Sequence, residues 1–356
     1  MYKYTTLTKL FISLPKIRSR VHLWKSCLPT IKPHYAVKCN NIEPILKELK
    51  RHGIGFDCAS SEEFRSVARL GVRPYEVIYA NPCKSRDEIY RARESEIKYI
   101  TFDNINELNK MTEIYRACKP ILRIFVDDKG GSKIPLNKKF GMRIQDVHEL
   151  LHVEPRFHIY GLAFHVGSNC ISPASYQSAF ESVREFLSVF RHYPNIFTPE
   201  LLDIGGGFSG LSENDNIFKN EIAPLIQKEV SSLPFRKTFS EPGRFFVEES
   251  CKLHVDVIGR NKKNITIDES VYGIFSGVLF DGFKPKFKCI TRRYETEPFT
   301  IFGRTCDSTD KIAENVYLPS KISDHDKLAV DNIGAYSWVS SSTFNGFPRP
   351  TISVLT

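Results

Sequence analysis

Eight short apolar runs between residues 34 and 243 each end in a polar or glycine-rich cluster. Stretches with helical periodicity, such as Ile42 to Arg51 and Ser61 to Leu70, separate most of these runs. This alternation predicts parallel strand–helix units, and eight such units close a barrel whose catalytic groups lie at the carboxyl ends of the strands. The runs are His34–Lys38, Gly55–Asp57, Val77–Asn81, Tyr99–Asp103, Ile121–Ile124, Gly161–His165, Leu201–Gly205 and Thr238–Glu241.

The pattern changes after residue 247. Short alternating runs separated by Gly, Pro and Asp predict an antiparallel β domain over residues 248–356. These runs are Lys252–Ile258, Phe299–Phe302, Lys327–Val330 and Thr351–Leu355. Residues 1–24 form an N-terminal segment whose short strand, Leu10–Ser13, is expected to join that sheet, so that both chain ends build its edge. The predicted fold is α/β: a (β/α)8 TIM-like barrel over residues 25–247 plus a C-terminal antiparallel β domain.

Composition narrows the class of protein. The chain has 356 residues, enough for a barrel of about 250 residues and a smaller domain. No apolar stretch approaches the roughly 20 residues that a membrane helix needs, so no membrane partner is expected. The net charge is +9, but the basic residues are spread along the chain without an arginine-rich run. This distribution predicts a solvated basic surface and no nucleic-acid partner.

The cysteines and the basic N-terminus bear on location. The nine cysteines include no CxxC pair and no secretory signal precedes them, which favours reduced thiols, no metal site and a cytoplasmic location. No acidic residue precedes Glu43, and such a basic start resembles a transit peptide. We favour the other interpretation, that Pro15–Ser26 is a domain helix with proline in its first turn.

Lys38 is the first candidate for chemistry because it ends the first run. Alternation through Tyr35–Cys39 places Lys38 on the same strand face as Ala36, inside the barrel. Burial disfavours the ammonium, and a lysine with a lowered pKa can bind an aldehyde covalently. A lysine that extends its amine to solvent from a strand end is the alternative for Lys38 taken alone.

A phosphate site is predicted where the seventh run meets Gly205, Gly206 and Gly207. Successive glycines free backbone N–H groups to surround a phosphate, although a tight turn also explains them. Arg244 can supply a charge-assisted partner for the same phosphate. Glu241 can keep a pyridine nitrogen protonated, which makes the ring an electron sink; a local Glu241–Arg244 ion pair is the alternative.

His165 and Ser168 complete the predicted cofactor site. A flat imidazole at the end of the run Gly161–His165 can stack on a ring, and Ser168 can donate to phosphate. A satisfied core histidine is the alternative for His165. A lysine for an aldehyde, phosphate contacts and a carboxylate for a ring nitrogen together specify pyridoxal 5'-phosphate as the cofactor.

Ten sequence strings, spread over most of the chain, carry a resemblance to a known family. They are Pro33–Asn40, Phe56–Ser60, Tyr79–Lys84, Lys139–Gly141, Phe164–Ser168, Leu202–Gly207, Ser240–Arg244, Thr305–Asp307, Gly334–Tyr336 and Ser342–Gly346. The set resembles the eukaryotic and viral ornithine decarboxylase family, which comprises alanine-racemase-like, fold type III amino acid decarboxylases that depend on pyridoxal phosphate. The resemblance extends from about residue 11 to about residue 353.

The resemblance implies roles around the cofactor. Lys38 is similar to the lysine that binds the cofactor aldehyde, His165 to the histidine that stacks on the ring, and Glu241 to the partner of the pyridine nitrogen. Lys38 and His165 are therefore candidate catalytic residues. The other residues implied to bind the cofactor are Asp57, Arg123, Ser168, Gly205, Gly206, Gly207, Pro242, Gly243, Arg244 and Tyr336.

The resemblance also implies a substrate site and partners. Cys306 is similar to the catalytic acid that reprotonates the α-carbon after carbon dioxide leaves. Asp281 and Asp307, with Phe280 beside the first, are similar to the residues that hold the distal ammonium of a small diamino acid. In the family the counterparts of Cys306 and Asp307 reach across a dimer interface, which implies a homodimer with shared active sites. An antizyme-like regulatory protein is implied as a further partner.

Departures from the family pattern bear on the substrate. Between Leu279 and Pro285 the chain is about two residues shorter than the usual animal segment, and Phe280 stands where tyrosine is common. Residues 268–272 also depart from the common Asp-Gly-Val-Tyr. The shortened form is similar to algal-virus relatives, some of which use arginine and carry glutamate at the place of Asp281. The aspartate favours decarboxylation of L-ornithine to putrescine, in polyamine biosynthesis. The alternatives are a sister decarboxylase acting on arginine or lysine and a catalytically inactive, antizyme-inhibitor-like binding protein.

Overall fold

The structure is a computed structural model that describes residues 8–127, 129–134, 139–151, 157–291, 295–324 and 326–356. The strands are β1 Lys9–Ser13, β2 Lys32–Ala36, β3 Gly55–Cys58, β4 Val77–Tyr79, β5 Tyr99–Phe102, β6 Lys119–Arg123, β7 Ile159–Ala163, β8 Phe197–Asp203, β9 Lys237–Ser240, β10 Cys251–Asn261, β11 Asn264–Ile267, β12 Phe287–Cys289, β13 Thr296–Phe302, β14 Lys311–Pro319, β15 Lys327–Asp331 and β16 Thr351–Leu355. The helices are α1 Leu14–Cys27, α2 Glu43–Arg51, α3 Ser61–Arg69, α4 Arg86–Glu94, α5 Ile105–Ile114, α6 His148–Leu151, α7 Pro173–Phe190, α8 Asp215–Ile217, α9 Ala223–Ser231, α10 Arg244–Val247 and α11 Gly277–Phe280.

The chain forms two compact units. The barrel unit comprises Arg20–Lys38 and Leu46–Phe245, and the β unit comprises the residues up to Ser19, Cys39–Ile45 and Phe246–Thr356. Residues 1–7 of the predicted N-terminal segment lie outside the described residues. The domain bounds drawn from the sequence, 1–24, 25–247 and 248–356, stay predictions.

Strands β2 to β9 form a closed parallel barrel in chain order, as the alternation of strands and helices predicts. The barrel closes where β2 pairs with β9 through Pro33 and Ser240. Its strands are buried on both faces because helices cover the outside and side chains fill the inside. One interior layer consists of Ile78, Tyr99, Ile121, Ala163, Leu201 and Phe239. Side chains of Ser60, Ser85 and Asn104 accept first-turn N–H groups of α3, α4 and α5, which fixes where these helices begin.

Strand β2 is shorter than the sequence predicts. It ends at Ala36, and Val37–Cys39 form a 3-10 turn, so the prediction that Lys38 and Ala36 share a strand face is wrong. After this turn, a hydrogen bond between a side chain and the backbone replaces sheet pairing: the Asn40 side chain accepts from the backbone N–H of Ile42 at 3.1 Å. The Asn40 amide also donates to the Gly334 carbonyl at 2.8 Å, which holds the segment in the β unit. Lys38 thus follows the end of the strand.

The sheet of the β unit runs β12-β15-β10-β11-β13-β14, with β1 joined to β10 and β16 joined to β1. Both chain ends therefore form one edge, as predicted. The prediction of a purely antiparallel sheet is wrong, because β1 pairs in parallel with β16 and β11 pairs in parallel with β13. Each parallel pair is joined by a connection long enough to return the chain in the same direction. Strands β11, β12 and β14 were not predicted from the pattern.

His34 is a buried histidine in β2, inside the barrel. Its side chain is fully buried, its ring lies 4.2 Å from the Phe239 ring, and neither ring nitrogen has a well-formed hydrogen bond among the described residues. Burial lowers the pKa of His34 to about 3, with a smaller lowering from the Lys32 ammonium and an opposing backbone contact of Lys32. The native barrel therefore keeps this ring neutral at physiological pH.

Replacing His34 by Phe is expected to make the barrel less sensitive to acid. The unfolded chain takes up a proton on His34 below its ordinary pKa of 6.5, whereas the native state does so only near pH 3. Stability is thus lost as the pH falls from 6.5 toward 3, by about 2 kcal/mol between pH 7.5 and pH 5. Urea unfolding of His34→Phe should show a smaller loss over this interval, and an unchanged loss would contradict the assignment. His34→Leu controls for the size of the ring.

The described residues include neither a membrane-spanning helix nor a cluster of metal ligands. Among them, no helix combines the length and the apolar character needed to cross a bilayer. Within the same residues, no group of three or more His, Cys, Asp or Glu side chains has an arrangement that would hold a metal ion.

Candidate active site

The barrel unit places most of the predicted site residues at or just after the carboxyl ends of its strands. This is where parallel barrels carry their chemistry, because the loops that follow the strands converge there. The residues are Lys38 after β2, Asp57 in β3, Arg123 at the end of β6, His165 and Ser168 after β7, Gly205–Gly207 after β8, and Glu241–Arg244 after β9.

Lys38 and Asp57 form an ion pair. The Lys38 amine donates to Oδ2 of Asp57, whose side chain is fully buried, while 40% of the Lys38 side chain is exposed. Burial raises the pKa of Asp57, and the nearby charges of Lys38 and Arg123 oppose this shift. Oδ1 of Asp57 is buried and has no hydrogen-bond partner among the described residues. The amine is therefore held in place by Asp57 and still open to an incoming aldehyde.

Two further carboxyl groups, those of Asp203 and Glu241, lie beside this ion pair. Oδ1 of the fully buried Asp203 accepts from the Gly205 N–H at 2.9 Å. Burial, opposed by that bond, raises the pKa of Asp203 to about 7. Burial and the charges of Asp203 and Asp57 raise the pKa of Glu241, whereas Lys38 and Arg123 lower it. Two cations face three carboxyl groups, so the cluster retains a proton near neutral pH.

The sequence analysis assigned no role to Asp203. An aspartate inside the otherwise apolar run Leu201–Ile204 is the signal that could have identified it, because an isolated buried carboxyl needs a specific partner. Its Oδ1 accepts from the Gly205 N–H, whereas its Oδ2 is buried without a hydrogen-bond partner among the described residues, so Asp203 fixes the start of the glycine turn.

His165 is held as a neutral ring. Its Nδ1 accepts from the Gly167 N–H at 3.0 Å, which leaves the ring proton on Nε2. Burial lowers the pKa of His165, and the charges of Arg123 and Lys38 lower it further. A neutral, fixed imidazole suits stacking on a flat cofactor ring, in line with the role that the resemblance implies.

The turn after β8 requires glycine for space and for backbone conformation. Gly205 and Gly207 have φ angles of +63° and +103°. A Cβ at Gly205 would lie 2.2 Å from the Phe164 carbonyl oxygen, and one at Gly207 would lie 2.4 Å from that of Gly167. Nearby, the Arg244 guanidinium donates to Ser168 Oγ at 3.4 Å. The loops that carry a cation and a hydroxyl are thus joined beside the glycine turn, as an anion cradle requires.

The remaining predicted site residues belong to the β unit. The Tyr336 N–H donates to the Cys39 carbonyl at 2.9 Å, and Tyr336 has a left-handed φ of +53°. Asp281 is buried, whereas 76% of Phe280 is exposed and Cys306 is exposed. Asp307 is only partly exposed.

Asp307 is held by two residues to which the sequence analysis gave no role. The Tyr272 hydroxyl donates to Oδ2 of Asp307, and this bond keeps the pKa of Asp307 below its ordinary value. The Tyr272 ring stacks on Phe344 at 4.3 Å between ring centroids. The two rings and the carboxylate thus form one group. The sequence strings Thr305–Asp307 and Ser342–Gly346 did not reveal it, because the three residues are distant in sequence.

These features define a barrel enzyme of the class that binds an anionic aldehyde cofactor through a lysine. The Arg244 cation, the Ser168 hydroxyl and the glycine turn suit the phosphate of such a cofactor. Lys38 suits its aldehyde, and the carboxyl cluster suits its ring nitrogen. The chain belongs to the pyridoxal-dependent decarboxylase family. The family model for the pyridoxal-dependent decarboxylase, pyridoxal binding domain, matches residues 14–248.

Curated relatives of this chain include ornithine decarboxylases. It is 36% identical to a probable ornithine decarboxylase of Dictyostelium discoideum over 92% of this chain and 75% of that protein. It is 35% identical to the ornithine decarboxylase of Caenorhabditis elegans over 96% of this chain and 85% of that protein. It is also 34% identical to antizyme inhibitor 2 of Xenopus laevis, over 94% of this chain and 78% of that protein.

Solved structures share the whole fold. The Paramecium bursaria Chlorella virus arginine decarboxylase superposes with a TM-score of 0.92 at 31% identity, covering 99% of this chain and 96% of that one. The lysine/ornithine decarboxylase of Vibrio vulnificus, in complex with putrescine, gives 0.87 at 28% identity, covering 98% and 94%. The chain is thus a pyridoxal-phosphate-dependent decarboxylase.

Pyridoxal phosphate fits the residues that are present. The buried Asp57 Oδ1 without a partner and the glycine turn, where any side chain would clash, are features of a site shaped for a ligand. When bound, the cofactor withdraws electrons from the bond that breaks in decarboxylation.

Proposed function

We propose that this chain decarboxylates L-ornithine to putrescine and carbon dioxide, a reaction of polyamine biosynthesis. The observation that carries the substrate is the pair of aspartates in the β unit, buried Asp281 and Asp307 with its hydroxyl partner Tyr272. Carboxylates favour a substrate that ends in an ammonium group, because such a group supplies an opposite charge and hydrogen-bond donors that a ligand without it cannot offer. The similarity to ornithine decarboxylases supports the same substrate.

In this proposal, each group of the barrel site acts on a defined atom. Lys38 Nζ, which pairs with Asp57, would hold the cofactor through its aldehyde, and Arg244 and Ser168 would hold its phosphate. Glu241 would stabilise a protonated ring nitrogen as a carboxylate, and the positive ring would offset the burial that raises the pKa of Glu241 in its absence.

The proposal gives protonation of the α-carbon to Cys306. A decarboxylase must return one proton to the carbon that lost carbon dioxide, and a thiol on an exposed loop can carry it there. Asp307 is the next residue along the chain, so the group that fixes the distal ammonium and the group that delivers the proton move together.

Arginine or lysine is the competing substrate. The fold is shared with an arginine decarboxylase and with lysine decarboxylases, so overall shape does not discriminate among the three amino acids. Aspartate at position 281 favours ornithine by analogy, because some of the viral relatives that use arginine carry glutamate at this place. The guanidinium of arginine presents several N–H donors in one plane, so it would need the same carboxylates in a different arrangement.

A panel of L-ornithine, L-arginine and L-lysine tests the substrate. We expect kcat/KM for ornithine to exceed that for either competitor by roughly 100-fold, because a site built for one polar group rejects ligands that misplace it. The measurement is product analysis by chromatography at equal enzyme and cofactor concentrations. Predominant agmatine or cadaverine would assign the competing substrate, and no product with fully loaded protein would favour an antizyme-inhibitor-like binding role.

The proposal includes a homodimer in which Cys306 and Asp307 complete the site of the partner chain. Lys38→Ala and Asp307→Ala, each inactive alone, are then expected to regain activity when mixed. Random exchange puts half of the protein into hybrid dimers, each with one site that has neither substitution. Activity should therefore approach about one quarter of the wild-type value, measured as putrescine release after subunit exchange.

The control for this mixture is a pair of variants on the same side of the site. Lys38→Ala mixed with His165→Ala should give no recovery, because both substitutions lie in the barrel unit. Exchange must be shown by mass spectrometry of tagged chains. Absence of recovery in the first mixture, with exchange demonstrated, would show that each chain builds its site alone.

A further inference from the structure

A buried ion pair in the β unit joins three segments that carry candidate substrate residues. The Arg304 guanidinium lies 3.6 Å from Oε1 of Glu269, and their side chains are 11% and 1% exposed. Arg304 also donates through its backbone N–H to the Glu269 carbonyl at 3.1 Å. The same guanidinium donates to the Pro348 carbonyl at 3.0 Å and lies 4.4 Å above the Phe347 ring. The pair thus connects residues 269–273, 303–310 and 344–348.

Each of these segments contains one member of the group formed by Tyr272, Asp307 and Phe344. Glu269 precedes Tyr272 by three residues, Arg304 precedes Asp307 by three, and Phe347 follows Phe344 by three. Tyr272 donates to Asp307 and stacks on Phe344, so displacement of any one segment moves the carboxylate. The intervening loop is exposed at Cys306 and Thr309, and contacts at its ends must fix it.

Asp310 anchors the other end of this loop. Its buried carboxylate accepts from the Val271 N–H at 2.9 Å and from the Thr305 N–H and hydroxyl at 3.1 and 2.7 Å. Asp310 therefore ties the loop to the same turn that Glu269 begins. The three donors to Asp310 are neutral, whereas Arg304 brings a compensating cation to Glu269.

We infer that Glu269 and Arg304 are positioning residues that set where the Asp307 carboxylate, and with it Cys306, meets the substrate. The inference deepens the proposed function, in which Asp307 binds the distal ammonium. Burial raises the pKa of Glu269 to about 7, and the Arg304 charge and a backbone hydrogen bond from Ser270 oppose this shift. The pair touches neither the substrate nor the cofactor; it acts through Tyr272 and the loop.

Glu269→Gln in the pyridoxal-phosphate-loaded enzyme tests the inference. We expect KM for ornithine to rise roughly 10-fold with kcat changed less than about threefold, because a displaced carboxylate weakens binding of the distal ammonium. Putrescine binding by calorimetry should weaken by the same factor, whereas the cofactor absorbance should stay unchanged. Arg304→Lys, which keeps the cation, should recover most of the affinity that Arg304→Gln loses.

The chain offers a matched control. Glu297 pairs with Arg260 at 3.3 Å, and Arg260 lies 4.9 Å from the Phe299 ring and donates to the Ser320 carbonyl at 2.7 Å. Glu297, which also pairs with Lys263, is partly exposed; Glu297→Gln removes an Arg–Glu pair of the same unit that does not contact the loop, and its KM should stay at the wild-type value. If Glu269→Gln lowers the unfolding midpoint but leaves KM and putrescine affinity at the control value, the pair only stabilises the fold and the inference is overturned.

Two further comparisons apply if the Glu269→Gln variant does not fold or if the substrate is not ornithine. Should Glu269→Gln fail to fold, the comparison of Arg304→Lys with Arg304→Gln carries the same test. Should the wild-type enzyme prefer arginine or lysine, the ornithine assignment fails, but the ratio of KM between variant and wild type for the preferred substrate still measures the effect of the pair.

Discussion

Lys38→Ala is expected to abolish decarboxylation, lowering kcat/KM on the order of 10⁴-fold, because the only covalent anchor for the cofactor is lost. The variant should also lose the absorbance of the lysine-linked cofactor. Borohydride treatment of the wild-type enzyme followed by peptide mapping should label Lys38. Lys84, in the loop between β4 and α4, is not expected to be labelled: its side chain is fully buried and its amine pairs with Glu107 at 2.9 Å.

Lys38→Arg separates the two roles of the lysine. An arginine can keep the ion pair with Asp57, whose buried carboxylate is left without its nearest cation in Lys38→Ala. Lys38→Arg should therefore be as inactive as Lys38→Ala, yet closer to the wild type in urea unfolding of the cofactor-free protein. Label on another residue, or retained turnover in Lys38→Arg, would remove Lys38 from this role.

The sequence predicted the barrel well because parallel strands buried on both faces appear as short, nearly continuous apolar runs. It failed where side chains from elsewhere set the boundary. Strand β2 stops at Ala36, and Asn40, which follows, bonds to Gly334, a residue almost 300 positions away. In the β unit the pattern located β10, β13, β15 and β16 but not their directions. Direction depends on which strands meet, and alternation contains no information on that.

The candidate site shows the same division. Residues that end a strand, such as Lys38 and His165, could be predicted because barrel topology brings strand ends together. Asp203, Tyr272 and Phe344 were missed as functional residues because each acts through a partner that is distant in sequence or hidden inside an apolar run. The Glu269–Arg304 pair belongs to this second group: neither residue lies in a pattern, and only their contact gives them a role.

Glu241→Gln is expected to lower turnover by roughly 10²–10³-fold while leaving the cofactor-free protein at least as stable as the wild type. Turnover falls because a neutral amide cannot stabilise a protonated ring nitrogen. Stability is retained because burial and the neighbouring Asp203 and Asp57 carboxylates disfavour the Glu241 charge. The native state keeps this proton above the ordinary pKa of 4.5, so the stability that Glu241 contributes falls as the pH rises. The stability advantage of the variant should therefore be larger at pH 8 than at pH 5 in urea unfolding.

Asp203→Asn is the matched control for this effect. Its side-chain oxygen can still accept from the Gly205 N–H, and its amide can donate to Glu241, so the glycine turn and the Glu241 carboxylate keep their places. We expect turnover within about 10-fold of the wild type, since the charge at Glu241 survives. Equal losses of turnover in both variants would mean that the carboxyl pair acts as a unit. A Glu241→Gln protein that is less stable than the wild type at pH 8 would show that the Glu241 carboxylate is stabilising in the absence of cofactor.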